Sequence, residues 1–106
     1  MFYFSFSPWI MFLKKNELDI FNFIFSEKNI FGKDKVLLKL IKKRKLKPEN
    51  VVFIGDETRD IEAAKKAKIK TIAVSWGFNK EDLLKKYNPD YLVSAPKDLI
   101  EILKNI

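Results

Sequence analysis

Val51-Val52-Phe53-Ile54 is an unbroken apolar run, stopped by Gly55 and followed at once by Asp56. A strand with one wet face alternates apolar and polar residues. A strand apolar at every position is covered on both faces, as in a parallel sheet packed between helices. Residues 70–75 (KTIAVS) repeat the pattern, residues 91–93 are a third, brief strand, and the aromatic, β-branched residues 21–26 (FNFIFS) predict a fourth. Helical patterns lie between them. Residues 34–45 set Val36, Leu37, Leu40 and Ile41 on one face with lysines opposite. Residues 58–67 carry the small stripe Ile61, Ala63, Ala64 and Ala67. Residues 80–87 form a helix stopped before Asn88-Pro89, and residues 97–104 close the chain as another. Residues 13–21 read as a helix end and a turn, and residues 47–50 as a turn. Strands alternating with helices imply an α/β fold with right-handed crossovers: a Rossmann-like parallel sheet with helices on both faces.

Composition narrows the chemistry. The chain has 106 residues, room for at most one domain, and contains neither cysteine nor histidine. That excludes disulfides, thiolate nucleophiles, the commonest general base and the softer metal ligands. Any metal here is held by oxygen atoms, which points to a hard cation such as Mg²⁺. The net charge of +7 raises the question of an acidic partner, and Lys39, Lys42, Lys43, Arg44, Lys45 and Lys47 form a basic cluster. Only Arg44 and Arg59 are arginines, whereas readers of nucleic acid enlist arginine for bidentate base contacts; a solvated helix face is therefore preferred to a nucleic-acid-binding module. The first 12 residues are a divergent aromatic stretch. With Leu13 they read MFYFSFSPWIMFL, which is too short to span a membrane, and its lysines follow the apolar run instead of preceding it. The expectation is a cytoplasmic protein with no membrane partner.

The residues able to carry chemistry cluster after the first buried strand. Ligands of open α/β sheets bind outside the carboxyl ends of the strands, where Asp56 stands, and Asp60 lies one turn into the next helix on the same side. With Glu57 these carboxylates make a negative patch that a cation would neutralise. The same residues also suit helix capping, with Asp56 and Thr58 as caps and Asp60 favoured by the positive end of the helix. Residue types alone leave both readings open.

Gly55-Asp56, with Asp60 four residues on and the helix sequence Ile61-Glu62-Ala63-Ala64-Lys65-Lys66-Ala67, resembles the fourth sequence motif of the haloacid dehalogenase superfamily. Thr71 to Phe78 looks like the next strand and loop of its phosphoglycolate-phosphatase-like members, and Asn88 to Val93 with Pro96 to Leu99 is similar to their closing segment. The resemblance covers residues 13–106 and implies a Mg²⁺-dependent phosphatase acting on small phosphate monoesters. Asp56 would ligate the metal, Asp60 would support it directly or through water, and Lys33, or alternatively Lys35, would hold the phosphate. The link at residues 27–32 is too short for a cap at the family's later insertion point.

Two departures stand out. Lys68 occupies a place where such sequences usually have glycine, predicting a left-handed residue at a cost of about 1 kcal/mol. More consequential, the family's first motif, Asp-x-Asp, supplies the nucleophile, and here no aspartate precedes Asp19. The second motif is a strand ending in Ser or Thr and followed by a helix of about three turns; Ser5 and Ser7 lie too close to Leu13 for that helix. The expectation is thus the C-terminal part of such a domain, with the first two core strands missing and a gap between residues 21–26 and 51–54. The aromatic stretch either fills part of that gap or is foreign sequence from a truncated or shifted reading frame. The chain by itself is expected to be inactive. The alternative function is a non-catalytic remnant, or a subunit completing a split domain with a chain that supplies the missing N-terminal half.

Overall fold

The computed structural model describes residues 2–5, 22–25 and 33–106. Its strands are β1 (Phe2–Ser5), β2 (Asn22–Phe25), β3 (Val51–Gly55), β4 (Lys70–Val74) and β5 (Tyr91–Val93). The helices are α1 (Lys33–Lys43), α2 (Thr58–Lys66), α3 (Glu81–Lys86) and α4 (Pro96–Asn105), with a 3₁₀ turn at Pro48–Asn50 leading into β3. All strands run parallel, in the order β2-β1-β3-β4-β5. The helix end expected within residues 13–21 lies outside the described residues.

The unbroken apolar run behaves as its sequence predicts. Val51 and Phe53 pack on one face of the sheet with Leu37 and Ile41 of α1 and Ala63 and Ala64 of α2. Val52 and Ile54 pack on the other face with Leu99 and Leu103 of α4. Every residue of β3 is buried. The small side chains of α2 bring it close to the sheet, where Ile61 meets Ala73 and Leu84.

The gap expected beside β3 is not empty. β1 lies in it and bonds to both neighbours, with Tyr3 opposite Phe23 on one side and Val52 on the other. One short strand thus stands where the family's strand order calls for two. β1 is tied to the far layer by Tyr3, which is buried and donates its phenol to the carbonyl of Leu103 at 3.4 Å. Desolvation raises the Tyr3 phenol above its ordinary pKa of 10.0. A raised value means that the folded state prefers the neutral phenol. Its contribution to stability is therefore full below pH 10.0 and is lost as pH climbs through the folded value. An alkaline loss of stability that disappears in Tyr3→Phe, followed by tyrosinate absorbance during denaturation, is the expected result.

Lys68 takes up the left-handed conformation that its place predicts, with φ 59°. The N–H of Ile69 reaches back to the carbonyl of Ala64 at 3.0 Å, and that of Lys68 to Lys65 at 3.1 Å, so the turn satisfies carbonyls left open at the end of α2 and buries Ile69. Lys45 repeats the device after α1 with φ 54°, and Leu46 reaches back to Ile41. Because Lys68 is exposed, Lys68→Gly removes backbone strain and forfeits little packing. We expect it to stabilise the chain by up to about 1 kcal/mol, read as a higher urea midpoint at unchanged slope.

Candidate functional site

In a parallel sheet the crossover helices run against the strands, so the N-termini of α1 and α2 lie at the sheet's carboxyl edge. Three segments meet there: the end of β1 at Ser5, the start of α1 at Lys33, and the turn from Gly55 into α2.

That turn is organised by Asp60. Its side chain is folded back under the loop, 2% exposed, and its Oδ2 accepts the N–H of Asp56 at 3.1 Å and that of Glu57 at 3.0 Å. A Cβ at Gly55 would stand 2.5 Å from the Asp60 Cγ, so residue 55 has room for hydrogen only. Glu57 is the N-cap residue of α2, and its carboxylate pairs with Arg59 at 3.5 Å. The capping expectation is corrected in its residues. Capping is done by Glu57 and Asp60, not by Asp56 and Thr58. Within the negative patch, Asp60 accepts two backbone N–H groups and Glu57 pairs with a guanidinium.

Asp56 is engaged by a different loop. It stands past the end of β3, half-buried, and its Oδ2 accepts the N–H of Phe78 at 3.1 Å. Phe78 belongs to the loop after β4, which approaches closely enough that a Cβ at Gly77 would lie 2.7 Å from the Asp56 Cγ. The two loops are sewn together further by Asn79. Its N–H donates to the Asp56 carbonyl at 2.9 Å, and its Oδ1 accepts the N–H of Thr58 at 2.9 Å.

Lys33 is the first residue of α1 and so belongs to the same edge; Lys35 is exposed two residues on. The basic residues 42–45 and 47 are exposed at the far end of α1 and in the turn after it, away from this edge. Ser5, set aside by the sequence reading as too near Leu13, ends β1 and is buried. With Phe4 opposite Phe53, it stands at the level of Ile54, beside the strand that delivers Asp56. The signal that could have found it was the β-propensity of the aromatic residues in FYFS, which the aromatic bias of the whole stretch obscured. Among the described residues, no three acidic side chains gather closely enough to hold a metal ion, and no helix is long and apolar enough to cross a membrane.

Residues 7–74 match the sequence profile of the haloacid dehalogenase-like hydrolases. The chain belongs to that family. It is 33% identical over 96 residues to a phosphoglycolate phosphatase of Synechococcus elongatus, a match that takes in 90% of this chain and 45% of that protein. It is 40% identical over 60 residues to the pyrophosphatase PpaX of Bacillus mycoides, covering 57% of this chain and 28% of that one. Among solved structures it superposes on a haloacid dehalogenase-like hydrolase from Streptococcus pneumoniae with a TM-score of 0.67 at 26% identity, over 88% of this chain and 46% of that one. The chain therefore spans less than half the length of these relatives. The α/β fold with its parallel sheet and flanking helices matches that of these neighbours.

Proposed function

We propose that this chain is the C-terminal part of a Mg²⁺-dependent phosphate monoester hydrolase, contributing the metal-holding edge of the site. The observation that carries the reading is the contrast among the three carboxylates of one turn. Asp60 braces backbone and Glu57 pairs with Arg59, while Asp56 stands at the strand end, where the Phe78 N–H of the opposite loop meets its carboxylate. In this reading Asp56 is the metal ligand. Asp60, the expected support of the metal directly or through water, also fixes the loop on which Asp56 stands, its buried Oδ2 engaged by two N–H groups. Lys33, with Lys35 as the alternative, supplies positive charge to the phosphate, and Ser5 is a candidate for the hydroxyl of the family's second motif.

The fit to Mg²⁺ is partial. The ion prefers six oxygen ligands in near-ideal octahedral geometry, and the described residues offer one carboxylate at the right place. When bound, the ion would neutralise charge on the phosphate; the chain's own residues bind and orient. No aspartate before Asp19 can serve as the attacking carboxylate, so turnover requires a nucleophile from outside these 106 residues. The match covers 45% of the Synechococcus elongatus relative, and a chain carrying the front half is one partner that could supply the nucleophile.

Titration with Mg²⁺, followed by the backbone amide resonances of Asp56 and Phe78, tests the reading. We expect saturable shifts with an affinity near millimolar, absent in Asp56→Ala. Unchanged binding in Asp56→Ala would place the site elsewhere.

A further inference from the structure

The loop after β4 does more than connect elements: it makes two hydrogen bonds to Asp56 and a third to Thr58. Phe78 gives its N–H to the carboxylate at 3.1 Å, Asn79 gives its N–H to the Asp56 carbonyl at 2.9 Å, and the Asn79 side chain accepts from Thr58 at 2.9 Å. Gly77 leaves no space for a side chain between the loop and that carboxylate. A carboxylate at a strand end is otherwise free to rotate about two bonds, and immobilising it costs entropy at the moment a cation binds. A partner that sets its rotamer beforehand removes that cost from binding.

We infer that Asn79 is a positioning residue for Asp56, its amide side chain and its N–H clasping the two loops so that the Phe78 N–H stays on the Asp56 carboxylate. The inference rests on the metal reading of Asp56 and goes beyond it. It assigns a role to a polar residue that no motif in the sequence marks, more than twenty positions from the carboxylate it serves. The logic is that of an outer-shell partner, whose loss weakens metal binding about 10–100-fold while the ligand itself remains. Coupling also runs the other way. Whatever occupies Asp56 perturbs the Phe78 N–H, and with it the segment bearing the Phe78 side chain, which is 73% exposed.

The test compares the 106-residue chain with Asn79→Ala and Asn79→Ser, using Mg²⁺ alone as the probe. Thr58 amide exchange and thermal melting in EDTA report the structure, and Mg²⁺-induced shifts at Asp56 and Phe78 report the site. The expected result is faster Thr58 exchange in Asn79→Ala, a melting temperature close to the parent's, and Mg²⁺ affinity at least about tenfold weaker. Asn79→Ser, which keeps an acceptor without adding charge, should recover part of that loss. It also supplies the comparison with the parent if Asn79→Ala does not fold. Faster Thr58 exchange with unchanged Mg²⁺ affinity would overturn the inference and leave the metal reading standing. No Mg²⁺ response in the parent chain would overturn both.

Discussion

Asp60→Ala should destabilise the chain by about 2–3 kcal/mol, the largest effect we expect from a single polar side chain here. The substitution removes the acceptor of two N–H groups at once, those of Asp56 and Glu57. Losing a helix cap typically costs about 1 kcal/mol, and a donor left without an acceptor in a part-buried turn adds about another 1–2. It also opens a void beneath Gly55, where the carboxylate now fills the space that a Cβ would need. Asp60→Asn keeps an acceptor oxygen in place and should lose less than half as much. Urea denaturation of the three proteins measures this directly. Equal stability of Asp60→Ala and the parent would mean that the turn is held by other contacts. Mg²⁺ has no part in this experiment, so it separates the bracing role of Asp60 from any role at a metal.

Much of this architecture was legible from periodicity. The unbroken run in β3 could be satisfied only by cover on both faces, and it has both. The stripe on α2 marked its buried face, and the family resemblance, not periodicity, marked Lys68 as a left-handed residue. Local pattern did not show the division of labour within Asp56-Glu57-Asp60. Three acids within five residues look alike in a sequence. What distinguishes them is which N–H groups point back at them, and those come in part from Phe78, twenty-two residues away. The place of β1 was left open between two alternatives for a related reason. A four-residue strand has too few positions to show a period, and its neighbours in the sheet come from residues 22–25 and 51–53. Asn79 was invisible because its function is a contact between loops, with no spacing rule to reveal it.

The greatest expected effect concerns turnover. Phosphoryl transfer through an aspartyl intermediate needs the carboxylate that attacks, and charge stabilisation by a metal ligand or a lysine cannot replace it. These residues supply the second kind of group and not the first. The chain should therefore show no hydrolysis alone and should gain it when the missing kind is provided. A front half can be taken from the part of the Synechococcus elongatus phosphoglycolate phosphatase that lies outside the match. It would bring strands of its own, so co-folding must displace or extend the pairing that β1 makes with β3. Co-expression is for that reason preferable to mixing folded parts.

Hydrolysis of p-nitrophenyl phosphate with Mg²⁺ is the most direct measurement, made on the chain alone, on the co-expressed pair, and on the pair carrying Asp56→Asn. The account predicts no turnover above background for the chain alone and Mg²⁺-dependent turnover for the pair. It also predicts a fall on the order of 100-fold or more when Asp56 is replaced. Turnover by the chain alone, or turnover of the pair that is indifferent to Asp56→Asn, would contradict it.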